Sequence, residues 1–185
     1  MRIISGQFRG KKLLTVNGKG VRPTADRVKE AMFNLIQFDI RGAAVLDLFC
    51  GSGALGIECI SRGAASVAFC DADKGSLEIT RRNLEGIGVK DAVLIRDDFR
   101  GALIAVRQKF DLIFLDPPYN TDFGEIAIGQ IFTKRLLKEN GKIIFEHSRD
   151  KVLKNLLGYG NIDTRYYGDT GISIITYEDL WETRN

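Results

Sequence analysis

From Ala44 onward, short apolar runs alternate with amphipathic stretches, the pattern a parallel sheet leaves when crossover helices join its strands. Strands are expected at 44–49, 66–71, 92–95, 110–116, 141–146, 164–167 and 172–177. Helical periodicity fills the gaps near 54–62, 74–86, 100–108 and 126–139, with a fifth helix near 149–157. Only Gly168-Asp169-Thr170-Gly171 separates the last two strands, too short for a helical crossover, so they must pair antiparallel. The expected body is a doubly wound α/β sheet of seven strands, mostly parallel, with an antiparallel last strand.

The chain ahead of Ala44 reads differently. Residues 2–14 suggest two short strands with Gly6 and Gly10 permitting bends, a small hairpin-like appendage. A helix then starts at Pro23 and Thr24, with Thr24 as its N-cap, and runs to about Ile40; Val28, Met32, Leu35 and Ile36 share its apolar face. The division expected is a β-hairpin extension over 1–20 and a catalytic domain over 21–185, whose last eight residues resemble a fraying tail.

Composition narrows the chemistry. With 185 residues, 44% of them hydrophobic, the chain suits one domain with a sizeable core. No apolar run approaches the ~18 residues of a membrane span, and the first residues lack a signal peptide's apolar stretch, so a cytoplasmic protein without membrane contact is expected. Cys50, Cys59 and Cys70 form no Cys-x-x-Cys pair and read as small buried apolar residues. His147 is the single histidine and reads as structural; no metal site is expected. The net charge of +3 is unevenly spread: residues 1–29 hold eight Lys/Arg against Asp26 alone, a net +7, leaving −4 for the rest. Clustered cations of this kind suit phosphate contact, with a merely solvated basic face as the alternative.

After the first strand, Asp47-Leu48-Phe49-Cys50-Gly51-Ser52-Gly53-Ala54-Leu55-Gly56 matches Gly-x-Gly-x-x-Gly between a strand and a helix, weak alone. Asp71 closes the next strand, 20 residues after Gly51, where a carboxylate can hold both hydroxyls of a ribose. A dinucleotide is disfavoured because its pyrophosphate would meet Asp47 at the strand end. S-adenosylmethionine has no phosphate and carries an ammonium and a sulfonium that favour that carboxylate. In Arg96-Asp97-Asp98-Phe99 an acid can accept from an adenine amino group while Phe99 packs on the ring; for both acids, helix N-capping is the competing role.

The strand at 110–116 delivers Asp116-Pro117-Pro118-Tyr119 to the same edge. An exocyclic amine on a base is a poor nucleophile because its lone pair is delocalised into the ring. Acceptors that engage its N–H bonds turn that lone pair out of the plane; the Asp116 carboxylate and the Pro117 carbonyl are suited to this. Two prolines make the turn stiff and poor in donors. Tyr119 can stack on the base, and Asp116 need not be a strong base, since the methylated amine sheds its proton after transfer.

These residues resemble the RsmD-type 16S rRNA guanine-N2 methyltransferases of bacteria. The resemblance runs from Arg2-Ile3-Ile4-Ser5-Gly6-Gln7-Phe8-Arg9-Gly10-Lys11-Lys12-Leu13 through Arg22-Pro23-Thr24-Ala25-Asp26-Arg27-Val28-Lys29-Glu30-Ala31-Met32-Phe33-Asn34 to 47–56 and 116–119; the first two stretches are the specific ones. It implies a Rossmann-like class I methyltransferase fold with an N-terminal β-extension, acting on a guanine of small-subunit rRNA in an assembling ribosomal particle; separately, a monomer is expected. It also implies that Thr24, Asp26 and Arg27 lie near the methionine part of the ligand. The expected site is then catalytic Asp116, Pro117, Pro118 and Tyr119; cofactor-binding Asp47, Phe49, Gly51, Ser52, Gly53, Asp71, Ala72, Asp98, Phe99, Thr24 and Arg27; and RNA-binding Arg9, Lys11, Lys12 and Arg22. Competing readings are methylation of adenine N6 or a protein amide, and an RNA-binding assembly factor without turnover.

Overall fold

The computed structural model describes residues 1–16, 23–151, 153 and 160–177. Its elements follow in the order α1 (Pro23–Leu35), β1 (Ala44–Asp47), α2 (Ala54–Ser61), β2 (Ser66–Asp71), α3 (Lys74–Gly86), β3 (Val93–Arg96), α4 (Phe99–Ala105), β4 (Phe110–Leu115), α5 (Phe123–Thr133), β5 (Leu137–Ser148), β6 (Asn161–Tyr167) and β7 (Thr170–Thr176). The strands form one seven-stranded sheet in the order β3-β2-β1-β4-β5-β7-β6. Pairing is parallel from β3 through β5, and β7 runs antiparallel to both β5 and β6. This is the Rossmann-like class I methyltransferase arrangement expected from the chain, antiparallel hairpin included.

The alternation along each buried strand divides the core in two. Val45, Leu112, Phe114, Ile144 and Ile172 face a layer built from α1, α2 and α3. Leu46, Ile113, Leu115, Ile143, Phe145 and Ile175 face α4 and α5. Successive strand residues point to opposite faces, so a parallel sheet covered on both sides reads as an unbroken apolar run.

The N-terminal segment is less regular than two strands. One antiparallel bridge, Arg2 to Lys12, joins its ends, supported by Ile3 N–H to the Lys11 carbonyl at 3.0 Å and Leu13 N–H to the Met1 carbonyl at 3.1 Å. The segment is laid against the end of α2: Gln7 N–H donates to the Ser61 carbonyl at 2.8 Å and Phe8 N–H to Ser61 Oγ at 3.0 Å. Gly6, at φ +82°, passes so close that a Cβ there would lie 1.8 Å from the Ser61 carbonyl oxygen. Fully buried Ile3 joins the α1–α3 layer.

Beneath it, Glu58 on α2 is fully buried and accepts from Ile4 N–H at 2.8 Å and Ser5 N–H at 2.9 Å. It also pairs with Lys29 at 3.0 Å and Arg62 at 2.9 Å. Burial opposes the Glu58 charge, but the Lys29 ammonium and the Ile4 amide outweigh it and hold the carboxyl below its usual range. Lys29, one of the eight cations of the basic end, is therefore an internal ion-pair partner with 3% exposure and contributes little to the surface.

Several boundaries differ from expectation. The helix expected over 126–139 is α5, Phe123–Thr133: Arg135 adopts φ 53°, which stops it, and Leu136 and Leu137 turn into the core. β5 therefore starts at Leu137 rather than 141, with a register shift opposite Phe110 and Leu112. α1 ends at Leu35 rather than Ile40, although Ile36 and Ile40 stay buried in the following turns. The expected helix over 149–157 and the tail over 178–185 fall largely or wholly outside the described residues. Cys50, Cys59 and Cys70 are buried free thiols, each pushed up in pKa chiefly by burial, Cys70 to about 12. Among the described residues no helix is long and apolar enough to cross a membrane.

Candidate active site

β1 and β4 are parallel neighbours in register, Asp47 opposite Phe114, so the glycine loop and the Asp116–Tyr119 turn leave the sheet side by side at its carboxyl edge. β2 places Asp71 at that edge and β5 places Glu146 there.

The glycine loop is held from three sides. Gly51 N–H donates to Asp71 Oδ2 at 2.9 Å, Thr80 Oγ1 donates to the Gly51 carbonyl at 3.0 Å, and Asn83 Nδ2 donates to the Ser52 carbonyl at 2.9 Å. Gly53 starts α2 at φ 76°, and a Cβ there would lie 2.7 Å from Thr80 Cγ2, so both backbone conformation and packing require glycine. Asp47 lies beneath the loop, 1% exposed, accepting from Gly56 N–H at 2.9 Å. Its pKa is raised to about 7, first by burial and then by the charges of Asp116 and Asp71, against the Gly56 hydrogen bond. Three carboxylates thus crowd one edge of the sheet. Among the described residues no group of three or more His, Cys, Asp or Glu is disposed to hold a metal ion.

Asp98 N-caps α4, its Oδ1 accepting from Arg100 N–H and Gly101 N–H at 2.9 Å each. Asp97 Oδ1 accepts from Asp98 N–H at 2.8 Å. Phe99 is almost wholly buried, its ring 5.5 Å from that of Phe49 and 5.2 Å from that of Phe123, with the Arg100 guanidinium 4.4 Å above it. The half-buried rings of Phe49 and Phe123 offer more open aromatic surface at the edge than Phe99 does. Ala72 is exposed just beyond Asp71.

In the Asp-Pro-Pro-Tyr turn, Pro117 is buried while Pro118 and Tyr119 are exposed. The Pro118 carbonyl is already taken, by Thr121 Oγ1 at 2.7 Å and Thr121 N–H at 3.2 Å. Tyr119 is tethered at its far end: its hydroxyl donates to Glu146 Oε1 at 2.8 Å and lies 3.2 Å from Thr170 Oγ1. Burial and the neighbouring Glu146 charge push the phenol's pKa up, so it remains a donor.

Of the other expected residues, Arg27 is exposed on α1, and Arg9, Lys11 and Lys12 are exposed on the N-terminal segment. Arg22 and the side chain of Thr24 lie outside the described residues. His147 has the internal role expected of it, with Nε2 2.9 Å from Ser173 Oγ and Nδ1 2.8 Å from the Ser148 carbonyl. Thr80, Asn83, Phe123 and Thr170 carry no signal in the sequence; Glu146 does, because it follows the fifth strand at the same edge as the glycine loop.

Comparison with known proteins bears on the family and the fold. A family model described as conserved hypothetical protein 95 matches residues 1–176. The YlbH protein of Bacillus subtilis is 39% identical over 180 residues, covering 94% of this chain and 97% of the relative. Ribosomal RNA small subunit methyltransferase D of Haemophilus influenzae is 38% identical over 157 residues, covering 83% of this chain and 81% of its own. Among solved structures, the yhhF protein of Escherichia coli superposes with a TM-score of 0.84 at 28% identity, over 97% of this chain and 99% of that one.

Proposed function

The chain belongs to the RsmD-type family, and from that premise we propose that it transfers a methyl group from S-adenosylmethionine to the exocyclic N2 amino group of a guanine in small-subunit (16S) ribosomal RNA. The observation that carries this reading is the juxtaposition, on adjacent strands, of a carboxylate-rich glycine loop and an acceptor-rich Asp-Pro-Pro-Tyr turn. Burial, with the charges of Asp116 and Asp71 added to it, keeps Asp47 partly protonated, a state a nearby cationic ligand relieves and an anionic one aggravates. That fits S-adenosylmethionine, which supplies a methyl group activated on a sulfonium.

The chain's residues do the positioning. Asp71, oriented by the Gly51 and Asp73 amides, is suited to the ribose hydroxyls. Phe49 and Phe123 offer flat surface for the adenine, and Asp97 and Asp98 lie where its amino group can be met. Asp116 and the Pro117 carbonyl accept from the substrate amine, and Tyr119, braced by Glu146 and Thr170, stacks on the base. The chemistry is orientation and hydrogen bonding to a developing charge, and removing one such partner typically costs about 100- to 1,000-fold in rate. Arg9, Lys11, Lys12 and Arg22 supply phosphate contacts in an assembling small subunit, with the chain acting as a monomer in the cytoplasm. Residues 1–20 serve as the RNA-directed extension of a methyltransferase domain over 21–185.

The test is transfer of labelled methyl groups to rRNA from cells lacking the gene, followed by mass-spectrometric mapping of the modified nucleotide. Wild type labels one guanine at N2, and Asp116→Ala retains the cofactor but not the transfer. A wild-type protein that binds the cofactor and labels no RNA would instead be an assembly factor, and labelling of adenine N6 or a protein amide would move the substrate.

A further inference from the structure

Between the N-terminal segment and α3 runs a groove of about 230 Å³ lined by Lys11, Lys12, Leu13, Leu14, Arg82, Asn83, Gly86 and Ile87. Three of these carry positive charge and none is acidic. Arg82 is exposed on α3, and among the described residues it is in no ion pair, whereas its neighbour Arg81 pairs with Glu78. The Lys11 ammonium reaches across to the Gly86 carbonyl at the end of α3, which brings the two walls together. Lys12 is fixed on its wall by the antiparallel bridge to Arg2.

The volume is below the roughly 300–1,000 Å³ of ordinary small-molecule pockets. A narrow cleft with cations on both walls and no anion suits a polyanionic backbone better than a compact ligand. The groove is also fixed relative to the active edge. Asn83, 5% exposed at its floor, accepts from Leu14 N–H at 2.8 Å, donates to the Leu14 carbonyl at 3.0 Å, and donates to the Ser52 carbonyl of the glycine loop at 2.9 Å. One side chain thus joins the basic segment, α3 and the loop.

We infer that this groove grips the phosphate backbone of the RNA substrate, with Arg82 on α3 as the cation opposite Lys11 and Lys12. Through Asn83, the gripped strand has a set position relative to the glycine loop. The inference rests on the RNA-methyltransferase reading and extends the contact surface from the N-terminal segment onto the main body.

Binding of transcribed small-subunit rRNA is to be measured from 50 to 200 mM salt for wild type, Arg82→Ala, Arg82→Glu and Arg107→Ala. Arg107 follows α4, on the opposite face of the sheet, and donates to the Ile104 carbonyl, so it controls for net charge. Loss of one phosphate contact lowers the slope of log affinity against log salt by about 0.7–0.9. Arg82→Ala is expected to show that loss, Arg82→Glu a further weakening, and Arg107→Ala neither, while cofactor affinity by calorimetry stays that of wild type. Unchanged slopes for both Arg82 variants, or equal losses for Arg82→Ala and Arg107→Ala, overturn the inference. Wild type that binds RNA with the Arg82-dependent slope but transfers no methyl group upholds the groove and removes the catalytic reading instead.

Discussion

Asp47 gives the sharpest quantitative test of the cofactor reading. The carboxyl is buried, and its pKa is raised from 3.8 to about 7, a displacement worth about 4 kcal/mol against the ionised form. In the apo protein the stability associated with this group is fully present below about 3.8 and is lost progressively as pH rises to about 7, because over that range the unfolded chain ionises freely while the buried carboxyl holds its proton. A ligand that places an ammonium and a sulfonium nearby favours the ionised carboxylate and so releases a proton on binding below pH 7. Affinity should rise with pH and flatten above about 7, improving roughly 25-fold between pH 5.5 and 7.5 if the bound carboxyl stays fully ionised. Isothermal titration calorimetry in buffers of different ionisation enthalpy reads both the affinity and the proton release. S-adenosylhomocysteine, which lacks the sulfonium charge, should show a weaker dependence, and Asp47→Asn none. A wild-type dissociation constant that is flat across this range, with no proton released, would refute the claim that Asp47 faces a cationic ligand.

Other consequences follow from the same contacts. Glu58→Gln leaves Lys29 buried without its counter-charge, so unfolding in denaturant should show a loss of about 3–5 kcal/mol, and a smaller loss in a Lys29→Met/Glu58→Gln double variant. Tyr119→Ala should lower kcat/KM for RNA by about 1–3 kcal/mol, the worth of a base stack, whereas Tyr119→Phe keeps the ring and loses only the tether to Glu146; steady-state kinetics separate the two. Burial lowers the pKa of His147 below 6.5, so its contribution to stability is present above pH 6.5 and lost as pH falls through the lowered folded value; Tm between pH 7.5 and 5 should drop more in wild type than in His147→Asn.

The elements and their faces were largely legible in the sequence, because burial on both sides of a parallel sheet writes itself into apolar runs and the short connection between the last strands excludes a crossover. The placement of the glycine loop, Asp71 and Asp-Pro-Pro-Tyr at one edge of the sheet was legible too, since each sits where a strand ends. Less legible was whatever depends on residues distant in the chain. The stop of α5 is set by Arg135 and by the demand of Leu136 and Leu137 for the core, which outweigh helical periodicity. The charge of Lys29 counts as surface in the sequence and as interior in the fold, because Glu58, 29 residues later, lies against it. Tyr119 acquires its brace from Glu146 and Thr170 on strands β5 and β7, and the glycine loop its anchors from Thr80 and Asn83 in the middle of α3. Local pattern determined which elements form and at which end of the sheet the candidate site residues gather. Only tertiary packing decided which polar side chains meet, because a hydrogen bond between distant residues leaves no period in the sequence.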